Sequence, residues 1–413
     1  MSALNVSTSA GEVLAYIASG EARTRGALTR RTGLSRATMA ERLEVLFRAG
    51  LISEGELAKP SGGRPSRVLA LNTDRYVVLA ADVGEDHVRL LLTDLTGAVV
   101  AEQLGSMPVS AGAPAVLGWI VTTGQQLLAG ASRAPEDLLG VGLSLPAPVD
   151  RARGRVSSPS VMAGWEGFAI EELVRRTLDV PTVVENDVNA RGFAEHLQDW
   201  RSYDDLLYVK AGTGIGSAII SAGSLFRGAQ GAAGDIGHIR LQPDDGPLCR
   251  CGATGCVESL AAGWSIVRDL RAAGFAVATT REAMDLVRAG TPEAVNLVRA
   301  AGRTLGRAIA YAVSLLNPGI LVVGGSLTGQ HLLTGVRESV YAYSLPLATT
   351  DLRIVEGRGG ERSGATGAAL LAAARALEPG TMNGRLRFWA DAPALPAKSG
   401  PSRAGSGRQS DPE

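Results

Sequence analysis

The chain has 413 residues, enough for two or three domains at roughly 150 residues each, and 45% of them are apolar, which allows a sizeable core and excludes wholesale disorder. Its 41 basic and 41 acidic residues cancel, so any nucleic acid or membrane partner must be held by a local patch. No window approaches the ~18 apolar residues of a membrane span, and the start carries neither a basic nor an apolar leader segment, so the expected compartment is the cytoplasm and no membrane partner is expected.

Residues 1–72 read as three short helices and a β-ribbon. Ser9 caps a first helix whose apolar face is Val13, Leu14 and Ile17. A second helix runs from about Arg25 to Arg31 and ends at Gly33. Ser35 caps a third, with Met39, Leu43, Leu46 and Phe47 on its buried face. A helix, a tight turn holding a glycine, and a helix that starts with small polar and basic residues is helix-turn-helix grammar. Ser35, Arg36, Thr38 and Arg42 would then face a major groove. Leu51-Ile52 and Val68 to Leu71 are expected to pair as a wing. The thin Gly62-Gly63-Arg64-Pro65 segment between them would place Arg64 in a minor groove. From Arg23 to Arg67 ten basic residues face four acidic ones, a local net charge of +6. An excess of that size suits several phosphate contacts on double-stranded DNA. The alternative is a helical protein-interaction module.

Residues 73–376 alternate strand-like and helical runs. Strands are expected at Tyr76 to Gly84, Val88 to Thr93, Leu139 to Leu145, Thr182 to Glu185, Leu206 to Val209, Gly216 to Ile220 and Ile320 to Val323. Helices are expected at Ala113 to Leu128, Ile170 to Leu178, Trp264 to Ala273 and Val295 to Leu315. Such alternation predicts an α/β architecture of two lobes around a cleft. Residues 377–413, rich in Gly, Pro, Ser and Arg, read as a disordered tail, with Phe388-Trp389 as an isolated apolar pair.

The only three cysteines fall in Cys249-Arg-Cys251-Gly-Ala-Thr-Gly-Cys256, and His238 lies eleven residues before the first. An odd number so closely spaced is a poor disulfide framework and a good ligand set. His238, Cys249, Cys251 and Cys256 would close a tetrahedral Zn(2+) site, structural because no position is left for water. His87, His196 and His331 stand alone and are read as ordinary.

Four segments carry a resemblance: Val184-Glu-Asn-Asp-Val-Asn-Ala190, Ala211-Gly-Thr-Gly-Ile-Gly216, Ala233-Gly-Asp-Ile-Gly-His238, and the cysteine run through Glu258. Together they resemble the ROK family, which groups sugar-responsive repressors with sugar kinases. The resemblance runs from about Tyr76 to Ala376. It implies an actin-like, two-lobed sugar-kinase fold, a structural zinc, and dimers or tetramers. It also implies that Asn186, Asp187, Asp235, His238 and Glu258 contact a sugar, with Asp187 in the position of a kinase's catalytic carboxylate. Asp235 stands where the family usually has Glu, and Ala147 where it usually has Gly.

Family kinases open with Asp-x-Gly-Gly-Thr; here the turn is Asp82-Val-Gly84-Glu85-Asp86. A carboxylate beside a phosphate costs about 4 kcal/mol per charge pair at an effective dielectric of about 20. The second Gly-rich loop, Gly212 to Gly216, and Gly324-Gly325 are intact. The expectation is a sugar-responsive DNA-binding regulator, a repressor and not an enzyme, on a palindromic operator, with no catalytic residue. The alternatives are an ATP-dependent sugar kinase that uses Asp187, and a zinc-stabilised interaction module with no sugar site.

Overall fold

The structure is a computed structural model and describes residues 8–57, 67–150, 153–157 and 162–391. Contacts divide the chain into two compact units, one made of residues up to Leu71 together with those from Glu378, the other of Asn72–Leu377.

The first unit opens with α1 (Ala10–Ser19), α2 (Arg25–Thr32) and α3 (Arg36–Arg48), then β1 (Ile52–Leu57) and β2 (Arg67–Leu71). Ser9 and Glu12 form a reciprocal capping box on α1. Gly33 closes α2 in the left-handed region, φ +72°, where a side chain would be strained, and Ser35 then caps α3. The strands pair antiparallel, Ile52 opposite Leu71. The three helices and the β-ribbon fall where the sequence placed them. Arg64 lies outside the described residues.

The second unit contains two sheets of the same topology. The first lobe holds β3 (Val77–Val83), β4 (Val88–Thr93), β5 (Val99–Gly105), α4 (Ala113–Gly130), β6 (Leu138–Leu145), the short pair β7 (Val149–Asp150) and β8 (Arg155–Val156), α5 (Ile170–Leu178) and β9 (Thr182–Asn186). Helix α6 (Asp187–Asp199) follows without a break. The second lobe holds β10 (Leu206–Ala211), β11 (Ile215–Ser221), β12 (Ser224–Phe226), α7 (Val257–Ala261), α8 (Gly263–Ala272), α9 (Thr280–Arg288), α10 (Pro292–Leu316), β13 (Ile320–Gly324), α11 (Gln330–Tyr343), α12 (Pro346–Thr349) and β14 (Arg353–Glu356). Strand order is β5-β4-β3-β6-β9 in one sheet and β12-β11-β10-β13-β14 in the other. In each, an antiparallel meander joins two parallel strands. The central strands β3, β6 and β13 are buried along their whole length, which is why they read as unbroken apolar runs.

Helix α13 (Ser363–Leu377) then returns to the first lobe, against α6, β6 and β3. Small residues permit the approach. A Cβ on Gly367 would lie 1.8 Å from the Ala190 carbonyl, and one on Gly364 would lie 2.3 Å from Asp82 Oδ2.

One sequence expectation needs correction. Residues 377–413 do not begin as a disordered tail, because Pro379–Asp391 form a helix, α14. It belongs to the first unit and lies on α1. Met382 and Leu386 are buried, and Asn383 Oδ1 accepts the Gly11 N–H at 2.9 Å. Two apolar side chains one turn apart and a glycine opposite them outweigh a polar composition. The remainder of the expected tail, 392–413, lies outside the described residues.

Candidate functional site

The floor of the second unit is built where β9 turns into α6. Asn186 ends the strand and caps the helix, its Oδ1 accepting the N–H groups of Val188 and Asn189 at 3.0 and 3.2 Å. Its Nδ2 donates to the Ala147 carbonyl at 3.2 Å. Much of this expected sugar contact is therefore spent on shaping the helix start. Asp187 is the first residue of α6 and is buried, and Lys210 of β10 binds its Oδ2. Glu185 is buried beside them and accepts from Arg227 Nε at 2.7 Å and Asn189 Nδ2 at 3.0 Å.

One turn along α6, Arg191 donates to Asp82 Oδ2 at 2.5 Å and to Ser363 Oγ at 2.9 Å, while Ser144 donates to Asp82 Oδ1 at 2.6 Å. Burial works against the charge on Arg191, yet the Asp82 and Asp187 carboxylates outweigh it and hold the guanidinium above its ordinary value. Sequence reasoning missed Lys210, Arg191, Arg227 and Glu185. One signal was available: the chain has only three lysines, and Lys210 is the one in an apolar strand.

Both Gly-rich turns make contacts within the protein. Glu85 does not stand alone: Arg250, between two of the cysteines, donates to its Oε1 at 3.3 Å. In the second loop, the Ile215 N–H donates to Glu258 Oε2 at 3.1 Å, and the Gly212 N–H to the Gly214 carbonyl at 3.1 Å. Residues of β10 and β11 thus reach two of the expected site residues, Asp187 and Glu258. Lys210 reaches Asp187, Ile215 reaches Glu258, and Gly237 of the Asp235–His238 segment lies so close that a Cβ would meet the Ile215 carbonyl at 2.2 Å. Asp235 is exposed at the start of that segment, with no side-chain partner among the described residues.

The His238, Cys249, Cys251 and Cys256 ligand atoms all lie within 4.8 Å of one another. Cys249 Sγ is 3.7 Å from His238 Nδ1, and Cys251 Sγ is 3.7 Å from Cys256 Sγ. A tetrahedron with Zn–S bonds of about 2.3 Å has edges of roughly 3.8 Å, so the donor set and its size fit a metal ion. Burial pushes the Cys256 thiol up to about 12. A divalent cation here would reverse that preference by stabilising thiolates. Nδ1 faces the sulfurs, which leaves Nε2 on the other side of the ring.

In the first unit, Ser35 Oγ accepts the Thr38 N–H at 3.1 Å, and the two hydroxyls lie 2.9 Å apart. These two expected DNA contacts therefore also build the helix start. Arg42 is half-buried and donates from Nε to the Thr8 carbonyl at 3.3 Å. Arg25, Arg31 and Arg48 sit in exposed ion pairs with Glu54, Glu21 and Glu44. Arg30 and Arg36 are exposed, enter no ion pair among the described residues, and border a groove of about 360 Å³ between α2 and α3.

Comparison with known proteins agrees with this geometry. The profile of the ROK family matches residues 78–375. A xylose repressor from Caldicellulosiruptor bescii is 27% identical over 252 residues, 60% of this chain and 62% of that protein. The chain also spans only 64% of the Bacillus subtilis xylose repressor. The Escherichia coli DNA-binding transcriptional dual regulator NagC is 26% identical over 346 residues, 80% of this chain and 84% of its own. Among solved structures, a ROK family transcriptional regulator, homologous to the E. coli MLC protein, superimposes with a TM-score of 0.77 at 25% identity, covering 91% of this chain and 98% of its own. A ROK family glucokinase from Streptomyces griseus, in complex with glucose and AMPPNP, matches at 0.62 and 28% identity, over 72% of this chain and 99% of its own.

Proposed function

The chain belongs to the ROK family, and from that premise we propose that it is a sugar-responsive, DNA-binding transcriptional regulator, a cytoplasmic repressor and not an enzyme. One observation carries the reading: Lys210 holds Asp187. A general base must be free to take a proton from the attacking hydroxyl. Here that carboxylate already neutralises an ammonium group. The Glu85-Asp86 turn also lacks the Gly and Thr that family kinases place there, although Arg250 pairs with Glu85.

The sugar would bind through Asn186, Asp187, Asp235, His238 and Glu258. Asp187 and Glu258 would accept hydroxyl protons in hydrogen bonds, and His238 would present Nε2 to a hydroxyl with its tautomer fixed by Nδ1 on a metal. Zn(2+), held by His238, Cys249, Cys251 and Cys256, would order the glycine-rich loop that carries His238 towards the sugar. The first unit would read a palindromic operator as part of a homodimer or homotetramer. Half-sites lie about 34 Å apart, so a small sugar-driven rotation is enough to misplace one recognition helix. No helix among the described residues is long and apolar enough to cross a membrane.

A kinase carrying a DNA-binding arm is the second reading, favoured by the intact Gly212-Thr213-Gly214 loop. Purified protein with ATP, magnesium and a sugar panel separates the two. No phosphorylated product is expected, while a sugar changes the affinity for operator DNA. Turnover abolished by Asp187→Asn would overturn the proposal.

A further inference from the structure

We propose that the exposed apolar face at the ends of α10 and α11 and on α12 is where a second copy of this chain docks across a two-fold axis. The inference rests on one part of the reading above, the homodimer or homotetramer, and on none of the sugar site. Single exposed leucines are ordinary on a protein surface, whereas a contiguous apolar patch is not. Among the described residues thirteen large hydrophobic side chains are exposed, and six of them fall within residues 311–347. Five of these gather at one end of the helices. Tyr311 and Leu315 lie on the last turns of α10, Tyr343 ends α11, Leu345 precedes α12 and Leu347 lies within it. They are between 60% and 91% exposed. Arg307 of α10 stacks on the Tyr343 ring, 5.8 Å from its centroid, and α12 packs on α10, so the three segments share one surface.

Composition, size and shape choose the occupant. No Asp, Glu, Lys or Arg occurs in residues 308–329 or 339–350. A face with no charge at its centre offers nothing to a nucleic acid or a charged peptide, while an apolar, charge-poor centre is what interfaces between identical chains show. At about 150–250 Å² for a large side chain, the five exposures amount to roughly 600–900 Å², against about 800 Å² per partner in a stable complex. Helix α10 supplies the shape. Arg303, Arg307, Tyr311 and Leu315 recur at every fourth residue and all are exposed, which makes one ridge. Ridges of that spacing on two helices interdigitate, and a two-fold axis sets this ridge against its own copy. At the rim, Arg299 and Arg303 already pair with Glu338 of the same chain, so the apolar centre carries the affinity.

Analytical ultracentrifugation of the full chain at micromolar concentration, without sugar or DNA, tests this. The wild type is expected to sediment as two chains or more. The double variant Leu315→Asp, Leu347→Asp is expected to halve that mass, weakening association at least about a hundredfold. Both side chains lie in water in the single chain, so its circular dichroism spectrum is expected to stay the same. Leu104→Asp, at another exposed leucine on β5, is expected to leave the mass unchanged. Hydroxyl-radical footprinting of the wild type needs no variant. Allowing for intrinsic reactivity, Tyr311 and Tyr343 are expected to be oxidised more slowly than Phe226 of β12, although the single chain exposes both more. A wild type that sediments as one chain overturns the inference together with the homodimer. A folded double variant of wild-type mass, or tyrosines oxidised as fast as Phe226, overturns the inference and leaves the homodimer standing. The sugar reading is decided separately, by its own panel.

Discussion

The floor of the two-lobed unit and the α2–α3 face treat their cations in opposite ways. At the floor, Arg191, Lys210 and Arg227 are largely withdrawn from water, and each lies on a carboxylate. On the α2–α3 face, Arg30 and Arg36 are exposed, with no such partner among the described residues. Withdrawing a charge from water costs several kcal/mol unless a counter-charge and hydrogen bonds answer it. Leaving one in water costs almost nothing and keeps it available to an outside anion. The first region therefore keeps its cations for internal pairs, and the second leaves them open to an outside anion.

The largest way to break this comparison is to remove one floor carboxylate. Asp82→Ala leaves Arg191 buried without its main partner, and the expected loss of stability is about 3–5 kcal/mol. Urea unfolding measures it. The double variant Asp82→Leu, Arg191→Met is expected to recover much of the loss, because an apolar pair needs no counter-charge. A single variant within about 1 kcal/mol of the parent would mean that water reaches the pair and that it is not an internal one.

Legibility in the sequence followed the range of the interaction. Strands β3, β4, β6, β9, β10, β11 and β13 were read to within a few residues, because burial on both faces writes an apolar run into the chain itself. The three helices of the first unit were legible through their caps, Ser9, Gly33 and Ser35. Helix α13 was not, since most of Ser363–Leu377 is buried on every side and shows no amphipathic stripe. Helix α14 was hidden because its reason for folding, Gly11 of α1, lies 372 residues away from Asn383. The site divides in the same way. The cysteines and His238 are local and were found. The ion pairs were not, because Lys210 is 23 residues from Asp187, and Arg191 is 109 from Asp82. Glu85 was read as a bare obstacle to phosphate, whereas Arg250 reaches it from 165 residues away.

The other side of the comparison is sharpened by Arg36→Ala. Its side chain is exposed and supports no internal ion pair among the described residues, so unfolding is expected to change by less than about 0.5 kcal/mol. DNA affinity is expected to fall by about 1–3 kcal/mol, uniformly across sequences and with the salt slope reduced by about one if the contact is to phosphate. Fluorescence anisotropy over a salt series reads both quantities. A loss of stability that matches the loss of affinity would show Arg36 to be structural, and the contrast between the two regions would fail.

The smallest effect concerns a group that avoids the problem by staying neutral. His196 of α6 is buried, its Nε2 lies 3.1 Å from the Tyr203 carbonyl, and its Nδ1 has no hydrogen-bond partner among the described residues. A carbonyl only accepts, so Nε2 carries the proton and a second proton would have to sit on Nδ1 in a dry place. Burial accordingly holds His196 below its ordinary value; the Tyr203 carbonyl and Asp204 pull the other way, and Arg201 adds to the lowering. The sign follows. The unfolded chain takes up its proton first, near pH 6.5, and the folded chain only below that. Stability is unaffected by this group above about pH 6.5, declines as pH falls from there to the folded value, and levels off below it. The slope within that window is at most about 1.4 kcal/mol per pH unit. His196→Gln keeps an N–H for the Tyr203 carbonyl and has no proton to gain, so its melting temperature measured across that window is expected to be flatter than the wild type's. Equal slopes would mean that His196 can protonate in place, and that a cation can be tolerated in this core without a carboxylate bound to it.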